Sequence, residues 1–290
     1  MSAAVIPAVI PAVTPATIPD EPEDVDVSGA ALGVVVIGAR GRLGRLVLDE
    51  VQARTGVVLV GAVNRSGLFS NGGSVVVDRD PATVLARCRR PTGGLVVVDV
   101  ATAGATAAHA AACADAGVPY VCATTGLGDA DQTAIAAAAA VIPVLVAANL
   151  SPGAHLVALL ATQAARAMAE ADAEIVEVHH RKKKDAPSGT ALMLADAVAA
   201  GRTGQQRRVL AREGEALRQP GDIGVVAVRG GDVVGEHTVT FFVDGERVEL
   251  AHKVSDRRIF ARGALDAAAF LVGRPAGRYE MRDVLAARLG

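Results

Sequence analysis

Val34-Val35-Val36-Ile37-Gly38-Ala39-Arg40-Gly41-Arg42-Leu43-Gly44-Arg45 decides the fold of this chain. A β-branched run ends in glycines at Gly38, Gly41 and Gly44, and a helical segment, Leu43–Arg54, follows. Strand, glycine turn and helix in that order make a βα unit suited to a dinucleotide pyrophosphate. The glycines serve a tight turn, a close backbone approach and close helix–strand packing. By itself the spacing also suits a plain βα turn. Its place at the head of a strand–helix series favours the cofactor reading.

Beyond this turn the pattern alternates. Apolar strands are predicted at Val57–Val63, Ser74–Val77, Leu95–Val100, Pro119–Cys122 and Ile142–Ala147. Helices over Pro81–Arg89, Thr106–Ala116 and Asp129–Ala140 lie between them. Uniformly apolar strands separated by helices imply an α/β architecture, a Rossmann-type parallel sheet covered on both faces. After Asn149 the pattern changes. A long helix (Ala154–Glu170), a half-exposed strand (Ala173–Val178), a helix (Ala191–Ala200) and a strand (Val225–Arg229) precede a hairpin. The hairpin pairs His237–Val243 with Glu246–Val254 around Asp244-Gly245, a strong turn signal. This half reads as an α+β domain with a mixed sheet. A last helix is predicted from Arg258 to about Val272. The expected division is a tail at 1–32, a dinucleotide-binding domain at 33–152 and a substrate-binding and oligomerisation domain at 153–257. The C-terminal helix region, 258–290, is expected to pack back on the first domain. In the tail, Pro7, Pro11, Pro15 and Pro19 recur every four residues, which a helix does not tolerate. The stretch lacks the basic start of a secretory signal.

Composition narrows the function classes. Of 290 residues, 51% are hydrophobic but only 2% aromatic, with no Trp, so the core is built from Ala, Val and Leu. A formal net charge of -2 argues against a general nucleic-acid binder. The most apolar run, Ala134–Ala148, is broken by Pro143 and falls short of a membrane span. Cys88, Cys113 and Cys122 form no CxxC pair. They read as reduced thiols in a cytoplasmic protein, Cys122 as a small buried residue. No His, Cys and carboxylate spacing suggests a metal.

The second decisive string is His179-His180-Arg181-Lys182-Lys183-Lys184-Asp185-Ala186-Pro187-Ser188-Gly189-Thr190. Six consecutive groups that are, or can become, cationic precede a helix start with Ser188 or Thr190 as N-cap. Cations beside free helix N–H groups make a site for a small molecule carrying more than one negative charge. Two histidines add proton transfer near neutral pH. Taken singly, one histidine suits a packed or capping role, and Lys182 and Lys184 suit a solvated face. His109 and His155 read as surface or core residues.

The cofactor's 2′ position is read at the end of the second strand. Asn64-Arg65-Ser66 stands there, with no carboxylate for a ribose hydroxyl. Arg65 and Ser66, or Arg40 and Arg42, suit a 2′-phosphate and tilt the reading towards NADPH. Asn64 leaves NADH open, and Arg65 also suits a solvated loop cation. Two further strand-end loops, Ala123-Thr124-Thr125-Gly126 and Ala147-Ala148-Asn149-Leu150-Ser151, are small and polar enough to flank a nicotinamide ring, or to be ordinary turns.

Together these segments resemble the dihydrodipicolinate reductase (4-hydroxy-tetrahydrodipicolinate reductase) family, above all at residues 177–192, and also at 229–242 and 252–265. The resemblance spans about 33–285. It implies NADPH- or NADH-dependent reduction of a cyclic imine-type dicarboxylate in lysine (diaminopimelate) synthesis, by a homotetramer. It implies that His179 is the proton donor/acceptor, Lys183 a second proton donor, and that His180, Ser188, Gly189 and Thr190 contact substrate. By the same resemblance Gly38, Ala39, Arg40, Gly41, Arg42, Leu43, Gly44, Arg65, Ala123, Thr124, Thr125, Ala147, Ala148, Asn149 and Leu150 line the cofactor. The chain departs from the family pattern at Ala101, Ala123 and Leu150. Two rival readings remain: a reductase of another small imino or keto dicarboxylate, and a non-catalytic NADP-binding sensor, which retention of His179 and Lys183 disfavours.

Overall fold

Valine-rich segments that leave no polar face must be covered on both sides, and the chain does this with helices on each. The structure, a computed structural model, describes residues 31–67 and 75–289. In chain order the first half runs β1 (Leu32–Ile37), α1 (Arg42–Ala53), β2 (Val57–Val63), β3 (Val76–Asp78), α2 (Pro81–Arg87), β4 (Leu95–Asp99), α3 (Thr106–Ala116), β5 (Tyr120–Cys122), α4 (Asp129–Ala139) and β6 (Pro143–Val146). The second half runs α5 (Pro152–Ala167), β7 (Asp172–His179), α6 (Gly189–Ala200), β8 (Arg207–Val209), β9 (Asp222–Arg229), β10 (Gly235–Val243), β11 (Glu246–Val254), α7 (Arg258–Leu271), β12 (Gly277–Tyr279) and α8 (Met281–Leu289).

The first sheet has the order β12-β6-β5-β4-β1-β2-β3, all parallel. Alternate residues of β1 feed opposite cores. Val34 and Val36 join Val47 and Leu48 of α1 with Ala264, Leu265, Ala268 and Leu271 of α7. Val35 and Ile37 join Val84, Cys113 and Ile135 from the helices of the other face. The chain thus returns after the second sheet. α7 covers a face of the first sheet beside α1, and β12 adds a strand to it.

The second sheet has the order β11-β10-β7-β9-β8. Its β7–β9 and β8–β9 pairs are parallel, and its β7–β10 and β10–β11 pairs antiparallel. One face packs Ile175, Ile223, Val225, Val239 and Phe241 against Ala161 and Ala165 of α5 and Leu194 and Val198 of α6. The other leaves Val176, Val226, Val228 and Phe242 exposed.

The α/β class with a mixed second sheet is as expected, but several bounds differ. β1 begins at Leu32, a buried residue expected in the tail. The rest of that tail, residues 1–30, lies outside the described residues, as does Ser74, expected to open the strand that runs Val76–Asp78. α5 begins at Pro152, because Ser151 caps it and proline suits the first helical position. Ser188 rather than Thr190 caps α6. β8, β12 and α8 were not expected. Two are three-residue strands, too short to show a period.

Candidate active site

In this sheet order, the direction of strand addition reverses between β1 and β4, and ligands of such sheets bind at the carboxyl ends there. Gly38 ends β1 with φ +82°, a left-handed conformation that costs glycine nothing. A Cβ on it would stand 2.9 Å from the Ala101 nitrogen after β4. A Cβ on Gly44 would overlap the Gly38 carbonyl oxygen, so α1 reaches its approach to the turn only with glycine there. Gly41 is the N-cap of α1 and no side chain caps it. The first-turn N–H groups therefore face outward without a side-chain partner, the cradle a pyrophosphate requires.

Three more strand ends meet beside this turn. Ala123 N–H donates to Asp99 O (2.9 Å) and Ala147 N–H to Cys122 O (2.9 Å), while Thr124 Oγ1 donates to Ala101 O (3.3 Å). Buried Asp99 holds the Ala101 loop in place. It accepts from Ala101 N–H, Tyr120 OH and the His109 ring (2.9, 2.7 and 2.7 Å). His109 is therefore a bonded core residue. At the end of β2, Asn64 is buried, Ser66 Oγ donates to its side-chain oxygen (2.6 Å) and Arg40 donates to Ser66 Oγ (2.9 Å). Arg65 is exposed beside them.

The second group of side chains follows from strand alternation. Ala173 and Ile175 of β7 face its apolar core, so Glu177 and His179 face the same way where the core runs out. Glu177 is 0% exposed and His179 8%. The parallel register sets Arg229 beside His179, and the antiparallel one sets His237 beside Glu177. The Arg229 guanidinium donates to both Glu177 oxygens (2.7 and 2.8 Å), the Ser188 amide donates to Oε1 (2.9 Å), and His179 Nδ1 lies 2.6 Å from Oε2. Burial pushes the Glu177 carboxyl up, but Arg229, His179 and Ser188 outweigh it and leave it below the ordinary value. Burial lowers the His179 pKa, and the Glu177 anion offsets only part of that. The His237 ring, edge-on to His179 at 5.2 Å, is pushed down to about 3, chiefly by burial.

His180, the first residue after β7, lines a cavity of about 950 Å³ with Arg42, Lys182, Lys183, Lys184 and Arg257. Lys182 and Lys184 thus face this cavity as well as solvent. Lys183 (side chain 19% exposed) is paired with Asp185 at 2.8 Å. Arg229 also donates to Asp185 O (2.7 Å), fixing this loop. Ser188 Oγ accepts from Ala191 N–H (3.1 Å) and lies 3.0 Å from His237 Nε2, so its hydroxyl is committed to capping. The Gly189 and Thr190 amides precede the first bond of the helix, Leu192 N–H to Ser188 O. Thr190 Oγ1 accepts from the Asn149 side chain (2.8 Å), which ties this helix start to the end of β6. His155 meets the Asn149 carbonyl (2.8 Å). The sequence reading did not single out Glu177 or Arg229, gave Asp185 no role within the quoted string, and left His237 unassigned, as a contact behind the site or between subunits. The one available signal was the carboxylate at the i−2 position of a strand histidine. Among the described residues, no group of three His, Cys, Asp or Glu is placed to hold a metal, and no helix is long and apolar enough to cross a membrane.

Comparison with known proteins agrees along the chain. A family model described as "Dihydrodipicolinate reductase, N-terminus" matches residues 32–150, and one described as "Dihydrodipicolinate reductase, C-terminus" matches 153–285. A 4-hydroxy-tetrahydrodipicolinate reductase of Halorhodospira halophila is 45% identical over 271 residues, 88% of this chain and 99% of that protein. One of Anaeromyxobacter sp. (strain Fw109-5) is 43% identical, covering 89% and 98%. A dipicolinate-bound dihydrodipicolinate reductase from Paenisporosarcina sp. TG-14 shares the fold, with TM-score 0.72 at 24% identity over 86% of this chain and 97% of that one.

Proposed function

The chain belongs to the dihydrodipicolinate reductase family, and we propose that His179 and Lys183 handle the protons of its reaction. That reaction is the NAD(P)H-dependent reduction of 4-hydroxy-tetrahydrodipicolinate (or dihydrodipicolinate) to tetrahydrodipicolinate, in lysine and diaminopimelate synthesis. When bound, the nicotinamide cofactor supplies the hydride. The Gly38–Gly44 turn holds its pyrophosphate. The loops at Ala123–Thr125 and Ala147–Leu150 flank its ring.

One observation carries this reading: Arg42, first residue of α1, lines the same cavity as His180 and Lys183. A dicarboxylate entering there meets a concentration of cations. It replaces Asp185 as the partner of Lys183, and the Gly189 and Thr190 amides take a carboxylate. His179, neutral when free, gains a proton as the dianion arrives. It then returns that proton to the negative charge left by hydride addition to a conjugated C=C–C=N system. Lys183 stabilises the same charge and acts as second donor. Ser188 serves as cap. Arg65, with Arg40 and Ser66, reads the 2′-phosphate of NADPH. The uncovered face of the second sheet joins copies into a homotetramer. Cys88, Cys113 and Cys122, all free, suit a cytoplasmic enzyme.

Oxidation of NADPH, followed by absorbance with enzymatically generated substrate, tests the assignment. His179→Gln and Lys183→Ala should each lower kcat by about 10²- to 10⁴-fold, with NADPH affinity nearly intact. Full activity in both removes it.

A further inference from the structure

The reacting histidine does not stand alone. Its Nδ1 lies 2.6 Å from a carboxylate that is wholly buried. Both oxygens of that carboxylate are taken: Oε2 by His179 and Arg229, Oε1 by Arg229 and the Ser188 amide. Arg229 and Ser188 alone supply three N–H donors to a carboxylate held below its ordinary pKa, so it carries no proton, and an ionised carboxylate only accepts. The hydrogen between Glu177 and His179 therefore belongs to Nδ1. In the neutral ring this leaves Nε2 as the lone pair. Nε2 points towards Gly235, where a Cβ would come within 2.9 Å of it. Glycine at that position leaves Nε2 uncrowded.

We propose that Glu177, clamped by Arg229, is a positioning residue that fixes His179 in its Nδ1–H form and so makes Nε2 the atom that exchanges protons with substrate. The proposal rests on the assignment of His179 given above and extends it. The same pair places the rest of the site. Through Oε1 it holds the Ser188 amide and with it the start of α6. Through Arg229 it holds the Asp185 carbonyl and with it the loop of Lys183. An apolar residue at 177 would leave Arg229 partly buried with two carbonyls and no paired anion. A neutral one would leave the imidazolium without its counter-charge.

Glu177→Gln keeps the shape and removes the charge. Its amide can donate to Nδ1 and select the other tautomer. The expected result is a fall in kcat of about 10²-fold or more with NADPH affinity within about twofold. The groups facing His179 are Glu177 on its own strand, Lys183 on the loop, Arg229 on β9 and His237 on β10. Of these only Glu177 is an anion, so its loss must move the alkaline limb of the kcat profile to lower pH. Loosened packing alone would relieve the burial that lowers His179 and move the limb the other way, to higher pH. In a His179→Gln background, Glu177→Gln should cost less than about twofold more. An unmoved limb, or the full loss repeated in that background, overturns the proposal. Should the variant fold poorly, nitrogen NMR of labelled imidazoles in the unaltered enzyme decides. A protonated Nδ1 on His179 is required, and a protonated Nε2 with bare Nδ1 sinks the idea. Full activity of His179→Gln would instead sink the underlying assignment, whatever Glu177 does.

Discussion

Asn149 donates its side-chain amide to the Thr190 hydroxyl at 2.8 Å, joining the carboxyl end of β6 to the first turn of α6. One residue thereby links the loop after β6, proposed above to flank the cofactor, to the helix start proposed to take the substrate carboxylate. Its other atoms are also engaged. Oδ1 accepts from Ser151 N–H at 2.7 Å, and its carbonyl meets His155.

Asn149→Ala removes both side-chain bonds and leaves the partly buried Ser151 amide without an acceptor, at a cost of about 1–3 kcal/mol. The thermal midpoint should fall by several degrees. kcat/KM should fall by about tenfold because the two loops lose their register. Asn149→Asp keeps the bond to Ser151 and accepts from Thr190 if that hydroxyl reverses, so it should recover most of the stability. Equal losses in both variants, by calorimetry and steady-state kinetics, would refute the linking role.

The proposed part of Arg65 in cofactor choice has its own test. Arg65 is exposed beside the bonded group Arg40, Ser66 and Asn64, so its contribution is a screened charge interaction. Arg65→Ala should weaken NADPH by about tenfold and NADH by less than about twofold, and the difference should shrink at high salt. Titrations of both dinucleotides at two ionic strengths measure this. Equal weakening would show that Arg65 does not read the 2′-phosphate.

Local chemistry made much of this legible from sequence. Gly38, Gly41 and Gly44 announce their turn, and Asp244-Gly245 fixes a hairpin whose second strand, Glu246–Val254, falls as expected. The apolar runs of the first sheet declare themselves because each must be buried on both faces. What stayed hidden is what depends on register. Glu177 looks like the polar member of an alternating strand. Only the pairing of β7 with β9 sets Arg229, 52 positions away in sequence, against it. β12 could not be read because three residues carry no period, and its partner β6 lies far back in the chain.

The uncovered face of the second sheet supports a test of assembly. Val176, Val226, Val228 and Phe242 lie on one side of three adjacent strands and are each over a third exposed. Large apolar side chains exposed on one sheet face suit the proposed contact between copies. Val228→Glu combined with Phe242→Glu should reduce the sedimenting species to smaller units without unfolding the chain. An unchanged assembly would place the contact elsewhere.

Acid should destabilise the enzyme through its buried histidines. His237 has a folded pKa of about 3 against an ordinary 6.5, chiefly from burial, and burial lowers His155, His179 and His252 as well. A lowered histidine binds its proton in the unfolded chain first. Between pH 6.5 and about 3 the unfolded state therefore holds more protons, and stability rises with pH. His237 alone should contribute a slope approaching 1.4 kcal/mol per pH unit in the middle of that window. His237→Gln, which keeps a polar group near Ser188 Oγ, should flatten the dependence by close to one proton. Urea unfolding at about pH 7.5, 5.5 and 4.5, at fixed protein concentration, gives both slopes. Parallel curves for variant and wild type would mean that His237 is already protonated in the folded protein, contrary to its neutral contact with His179.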